Sequence, residues 1–431
     1  MSQSPIAIIG AGLAGLVCAK ELRSRGCSDF VVLEAGAEVG GRVRSRVTSG
    51  GYTLDLGFQV LLDSYPAARR HLDFAALRPR YFDSGAILAD GGRCWVVANP
   101  LRHPGDFSAT AFTPAFSWAD KMRLAKLASS VMATPDECLL AQTASAEDLS
   151  TAGFLVAAGF SSALVERFIR PFFGGVFLDD TLATSAALFR YYLKKFVTGR
   201  ALVPAAGMQE IPRQLARGLP GMCLRLGSCV EGIEFAGDRA IALRLAGGER
   251  FACRAVLIAT DEPSALRLTG ETAPVRPALG TTVVYFASAE PLYRRRMLFL
   301  PAGRAGLIRH LVAMTNVAPE FAPAGRHLLS ATVLDRLGLG DDALIRRVRG
   351  EILGLFPGAS TVARELEIVD LIDVPYALYR QAPGFARFSR PTPASSVWRN
   401  VWFAGDQTAS CSINAAMASG EQGAKRLLAG T

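Results

Sequence analysis

The eight cysteines contain no C-x-x-C pair and form no metal-like grouping with the chain's four histidines. That spacing argues against a zinc or redox-dithiol site, and no metal is expected. In a chain of 431 residues such cysteines read as reduced core residues, which implies a cytoplasmic compartment. No apolar run approaches the roughly 18 residues that a membrane helix needs, so the expectation is a soluble protein, at most peripheral to a membrane. No basic n-region or cleavage site stands before the first apolar strand. The formal net charge is +9, yet no basic run is interleaved with aromatics, only short clusters such as Arg294-Arg295-Arg296. Nucleic acid is therefore not an expected partner. Internal repeats and low-complexity linkers are also missing.

What is present is apolar and long: half the residues are hydrophobic, enough for two cored domains. The chain opens with a strand Ile6–Ile9, a glycine turn, a helix Leu13–Ser24 and a second strand Phe30–Glu34, the pattern of a βαβ unit. Between strand and helix lies Gly10-Ala11-Gly12-Leu13-Ala14-Gly15, a G-x-G-x-x-G in its proper setting. The first glycine permits the tight turn, the second lets backbone approach a pyrophosphate, and the third lets helix and strand pack closely. The helix N-terminus then offers free amides and partial positive charge to the phosphates. Glu34, followed by Ala35, ends the next strand roughly 20 residues on, where a carboxylate accepts the ribose hydroxyls and disfavours a 2′-phosphate.

A second glycine pair, Gly40-Gly41-Arg42, followed by Asp55-Leu56-Gly57, extends the fingerprint beyond what a plain NAD dehydrogenase needs and points to FAD. At the far end, Val401–Ala404 reads as a buried strand ending in Gly405-Asp406, and a helix begins near Ile413 with Ala415, Ala416 and Gly420. A helix N-terminus at Ser412, Ile413 and Ala416 suits a flavin edge that gains negative charge on reduction, and small residues permit close approach.

With these motifs in hand, the chain resembles the flavin amine oxidase superfamily, which includes monoamine oxidases, protoporphyrinogen oxidases and phytoene desaturases. Arg170-Pro171-Phe172-Phe173-Gly174-Gly175-Val176-Phe177, with Leu182 and Ser185, is similar to a substrate-domain stretch of protoporphyrinogen oxidases. The resemblance implies an α/β fold: a Rossmann-like FAD-binding domain with a GR2-type parallel sheet and an interleaved α+β substrate domain. The FAD-binding parts are expected at 1–90, 202–270 and 390–431, with the substrate domain at 91–201, mostly helical, and 271–389. It also implies that Val230 holds the adenine by backbone contacts, and that Gly57, Phe58 and Gln59 lie near the isoalloxazine. Phe173, Phe177, Tyr285 and Tyr376 are the substrate-facing candidates.

Departures from the family pattern bear on substrate. Amine oxidases of this group commonly carry a lysine near flavin N5, in a strand like Leu279–Phe286, where this chain places Thr281 and has no lysine nearby. The flavin-linking cysteine of monoamine oxidases would fall within Tyr376–Phe388, which has none, so FAD is expected to be non-covalent. Cys411 is read as a buried inert thiol. The expected activity is removal of a hydride equivalent from an activated C–H of a small hydrophobic substrate, as in a desaturase or protoporphyrinogen oxidase. Amine oxidation and, more remotely, a flavin-free lipid- or prenyl-binding escort are the alternatives. No general acid or base is assigned: His71, His103, His310 and His327 have no motif context and are read as structural or exposed. The final electron acceptor, oxygen or a quinone, stays open, as does running the flavin in reverse as a saturase. A basic helical stretch with Lys121, Arg123 and Lys126 beside Met122, Leu124 and Leu127 is the candidate for membrane contact.

Overall fold

The computed structural model describes residues 4–99, 102–272, 275–302, 306–388, 398–408 and 410–430; the expected 389/390 boundary and the opening Met1–Gln3 lie outside them. At its centre is a five-stranded sheet in the order Leu224–Arg225, Phe30–Leu33, Ile6–Ile9, Ala255–Ile258, Val401–Phe403. All four pairings are parallel. A parallel sheet needs cover on both faces, and its alternating side chains supply it. Ile6, Ile8, Val32 and Leu257 pack in one core with Leu16, Leu22 and Met417 of the helices Leu13–Ser24 and Ile413–Gly430. Ala7, Ile9, Val256 and Ile258 point the other way, onto Leu243 and Leu245 of an antiparallel meander, Val230–Ala236, Arg239–Leu245, Arg250–Ala252.

This is the Rossmann-like α/β arrangement the sequence predicts, and the two chain ends meet in it. Gly420 is what lets the first and last helices lie so close: a Cβ there would collide with the carbonyl oxygen of Ala14. Arg70 and His71 add a second tie, both reaching Glu421, at 2.8 and 2.7 Å.

The middle of the chain forms a seven-stranded sheet ordered Glu367–Tyr379, Ala278–Ser288, His327–Val333, Ile308–Ala313, Leu298–Pro301, Gly85–Asp90, Arg93–Ala98. It is antiparallel except where Leu298–Pro301 runs parallel to Gly85–Asp90. Val284, Phe286, Leu311 and Ala331 face the helix Asp341–Leu355 through Leu344, Val348 and Ile352. Val283, Tyr285 and Val312 face the nucleotide-binding side. Helices Trp118–Ala133, Arg170–Phe177 and Ala186–Thr198 lie within 91–201, the stretch expected to be mostly helical.

The β-rich stretch 250–260 divides: Arg250–Ala252 closes the meander, and Ala255–Ile258 enters the central sheet. One expectation is corrected. Gly85–Asp90, placed by the sequence reading within the first FAD segment, instead pairs in the seven-stranded sheet.

Candidate active site

The carboxyl ends of the central strands and the inner face of the larger sheet enclose a cavity of about 580 Å³. Ligands of open α/β sheets bind outside the carboxyl ends of the strands. Of the predicted cofactor residues, Gly10, Gly12, Leu13, Ala14, Glu34, Ala35, Gly40, Gly41, Arg42, Gly57, Phe58, Gln59, Val230, Gly405, Asp406, Ser412, Ile413 and Ala416 all line it. Gly15 does not, because it sits where a Cβ would collide with the Gly10 carbonyl oxygen, and its role is helix-on-strand packing.

The fingerprint glycines divide by what surrounds them. Gly10 has φ +103°, and a Cβ there would come to 3.0 Å from the Ala259 carbonyl oxygen. A Cβ on Gly12 would meet no protein atom within 4 Å and would stand in open space. Gly41 and Gly57 are nearly as open, with nearest approaches of 3.5 and 3.6 Å.

The carboxylates that line the cavity are held by protein groups. Glu34 accepts from the amides of Ala11 and Gly36, both at 2.8 Å. Asp261 caps the helix Glu262–Thr269 by accepting from Ser264 N at 2.8 Å. Asp406, buried after the Val401–Phe403 strand, pairs with Arg42 at 2.7 Å. Burial works against the Arg42 charge, but Asp406 outweighs it and holds the guanidinium strongly protonated. Ser412 Oγ accepts from Ala415 N at 3.0 Å, capping the C-terminal helix whose first turn faces the cavity. Cys411 also lines it, and burial, then the Asp406 charge, push its thiol up, so it is the neutral thiol at pH 7. No lysine lines the cavity, and Thr281, which does, donates its hydroxyl to the Val333 carbonyl at 3.1 Å.

The substrate-facing candidates fare unevenly. Phe177 lines the cavity; Phe173, Tyr285 and Tyr376 do not. The helix Arg170–Phe177 turns Phe172 and Val176, four residues apart, toward the cavity, leaving Phe173 buried against Phe189 at 4.7 Å between ring centroids. Tyr285 is buried and donates to the Asp55 carbonyl at 2.9 Å. Tyr376 lies against the Arg42 guanidinium, 5.6 Å from ring centroid to Cζ.

Sequence reasoning also missed His310. Its imidazole lines the cavity and is only 3 % exposed. Burial, then the neighbouring Arg309 charge, lower it to about 4, so it is neutral at pH 7. The other histidines are structural: His71 meets Glu421, and His103 Nε2 accepts from Ser84 N at 2.8 Å. His327 Nδ1 stands 3.4 Å from the Thr315 hydroxyl.

The profile of the family described as flavin containing amine oxidoreductase matches residues 13–428. The chain belongs to that family. As a member it is an FAD-dependent oxidoreductase. Solved structures agree in fold. A chain from Exiguobacterium sp. 255-15 assigned as a protoporphyrinogen oxidase superposes with TM-score 0.73 at 19 % identity, covering 99 % of both chains. Cyclohexylamine oxidase from Brevibacterium oxydans superposes with TM-score 0.68 at 16 % identity, again over 99 % of both. In sequence, the chain is 36 % identical to an Arabidopsis thaliana protoporphyrinogen oxidase over 80 residues, 19 % of this chain and 15 % of that protein. The matches to curated relatives span between 7 % and 23 % of those proteins' length. Among the described residues no helix is long and apolar enough to cross a membrane, and no cluster of residues suits a metal ion.

Proposed function

We propose that this oxidoreductase dehydrogenates an uncharged, largely apolar substrate at an activated C–H, with FAD held non-covalently along the cavity. The observation that carries this reading is that each carboxylate lining the cavity is already engaged by the protein, Asp406 through Oδ2 while its buried Oδ1 has no partner. Glu34 serves two backbone amides, Asp261 caps a helix and Asp406 neutralises Arg42. A substrate ammonium entering here would lose its hydration and could gain a counter-charge only by competing with contacts these carboxylates already make, which is unfavourable. An apolar substrate meets Phe58, Phe172, Val176, Phe177 and Leu298.

The chain's own groups suit a dinucleotide. Open space at Gly12 admits a pyrophosphate to the first turn of the Leu13–Ser24 helix, and Glu34 and Val230 stand at the nucleoside end. When bound, the flavin supplies the hydride acceptor. The N-terminus of the Ile413–Gly430 helix, aimed at the same cavity, stabilises negative charge placed there. The substrate-domain residues hold the reacting carbon and exclude water.

Anaerobic titration of the yellow protein tests the reading. Bleaching of the flavin by a polyene or porphyrinogen, and by no member of an amine panel, is expected; bleaching by primary or secondary amines overturns it. Acid precipitation should release all the flavin into the supernatant, and flavin retained in the pellet would disprove the non-covalent attachment. A colourless protein that cannot be reconstituted with FAD would favour the escort alternative.

A surface supports contact with an anionic membrane as the source of such a substrate. Phe112, Trp118 and Met122 are 72, 60 and 67 % exposed, and the rings of Phe112 and Trp118 are 6.2 Å apart. Arg123 and Lys126 are exposed on the same helix, while its Asp120 is buried. Leu127, expected to contribute to this face, instead packs on the core. The apolar part comes from the aromatic pair and Met122.

A further inference from the structure

The helix Arg170–Phe177 carries two adjacent glycines in its interior, Gly174 and Gly175. Glycine is a poor helix former, so each weakens the helix relative to alanine. Neither supplies a turn, since both lie inside the helix. A Cβ on Gly174 would approach Asp180 Oδ1 to 3.0 Å, and Asp180 is the ion-pair partner of Arg309, at 2.5 Å. A Cβ on Gly175 would overlap Nε2 and Cδ2 of the next residue, His310. The bare helix face therefore makes room for an imidazole in the cavity wall.

That imidazole brings a second cost. Its Nδ1 is covered by protein and has no hydrogen-bond partner, which leaves its lost hydration uncompensated. Opposite His310 in the sheet register is Thr332, whose hydroxyl is likewise buried and unpartnered. Directly opposed residues of antiparallel strands share a face, so the two unmet groups are neighbours. Leucine or phenylalanine at 310 would abolish the polar penalty among these apolar neighbours. Phe58 is the nearest ring, with centroids 5.2 Å apart. The seat at Gly175 and the unmet Nδ1 are both penalties of one side chain that an apolar ring packed on Phe58 would lessen, and they mark a group kept for a ligand.

The neutral ring offers one N–H and one lone pair, which match an uncharged hydrogen-bonding atom and not an ion. We propose that His310 is the hydrogen-bonding contact by which the cavity selects its substrate, an otherwise apolar molecule carrying one uncharged oxygen or nitrogen. The Thr332 hydroxyl, unpartnered like Nδ1 in the free protein, is the group that can meet Nδ1 and fix the tautomer once a substrate engages the ring. The inference rests on the reading of the cavity as a site for an apolar substrate, and it adds where that substrate is gripped.

The test uses FAD-loaded protein and two probes of matched shape, 4-butylphenol and butylbenzene, with Kd read from perturbation of the flavin absorbance. The phenol should bind about three- to tenfold more tightly than the hydrocarbon. His310→Phe should remove or invert that preference, because an unpaired hydroxyl is then buried. Gly175→Ala should do the same with the imidazole still present, displaced from its seat. Thr332→Val should reduce the preference, and His310→Gln should restore part of it. Should His310→Phe fail to fold, the Gly175→Ala and Thr332→Val ratios decide the matter. Equal affinities in the wild type, or a preference that survives in His310→Phe, overturn the proposal. Such a result in a yellow protein leaves the flavin assignment intact, whereas a protein that will not take up FAD at all sinks the underlying reading.

Discussion

Gly12→Ala separates a glycine kept for a ligand from one kept for the fold. In the protein alone the new methyl meets nothing within 4 Å. The backbone at Gly12, φ −71° and ψ 177°, is ordinary extended conformation that alanine adopts freely. Replacing glycine there restricts the unfolded chain, worth about 0.4–1 kcal/mol of stabilisation. It also puts a poorer residue at the helix N-cap, which costs a few tenths of a kcal/mol or somewhat more. The two nearly cancel, so the apoprotein should melt within about 0.5 kcal/mol of wild type in urea. Gly15→Ala is the contrast: its Cβ collides with backbone, the Gly10 carbonyl, which has little freedom to yield. Overpacking of this kind costs about 1–3 kcal/mol. With flavin the order reverses in meaning. The Gly12→Ala methyl stands where the phosphates approach, and FAD affinity should fall at least tenfold with the fold intact, measured by fluorescence quenching of added FAD. Gly12→Ala protein that retains stoichiometric flavin at wild-type affinity would refute the argument that this opening is the phosphate site.

Arg42→Met leaves the buried Asp406 carboxylate without its cation, and urea denaturation should show a loss of about 3 kcal/mol. Two buried groups give opposite pH signatures. Burial, only partly offset by hydrogen bonds from Ser45 and Met208, raises Asp55 to about 6, so its effect on stability falls as pH rises from about 4 to 6. His310, lowered to about 4, does the reverse, because the unfolded chain alone takes up its proton between about pH 4 and 6.5. Urea titrations from pH 4 to 6 should therefore differ in slope: relative to wild type, stability should gain about 2–3 kcal/mol with rising pH in Asp55→Asn and lose a similar amount in His310→Gln; parallel curves for all three would contradict the assignment. Finally, Phe112→Ser with Trp118→Ser should lower sedimentation with anionic liposomes at low salt by tenfold or more without changing the thermal midpoint, and unchanged sedimentation would remove the membrane reading.

The ends of the chain were legible because their signals are local. Ile6–Ile9 and the helix Leu13–Ser24 fall where hydrophobic pattern and glycine turn place them. Glu34 and the Gly405-Asp406 turn reach one cavity because parallel strands must end on one side. The middle was read less well, since strand pairing is non-local. The run Phe251–Thr260 carries one continuous β signal, and nothing in its composition tells that Cys253 and Arg254 are a corner between two sheets. The two-residue strand Leu224–Arg225 is too short for any periodicity to reveal. Phe173 was preferred to Phe172 as a pocket residue because adjacent phenylalanines are equivalent until the helix phase is known. His310 was missed because Ile308–Ala313 was not read as a strand, so the histidine had no partner across the sheet. A signal did exist: two glycines in mid-helix have no local purpose, and they imply a bulky group from elsewhere against that face.

The glycines thus hold a record of where this protein meets itself and where it meets something else. At Gly15, Gly175 and Gly420 an added Cβ would strike protein, and the atoms it would strike identify the contacts that need glycine: a turn carbonyl, an imidazole, and the first helix against the last. At Gly12, Gly41, Gly57 and Gly405 it would meet nothing closer than 3.5 Å, yet all four border the same cavity. Three of these four also have positive φ, so the turn itself accounts for their glycine. Gly12 does not, and neither backbone conformation nor neighbouring protein requires glycine there. An external occupant close to the main chain is the physical reason left, and it lies at the first turn of a helix whose free amides favour an anion. The dinucleotide site is in this sense inferred from a residue that the protein alone does not need.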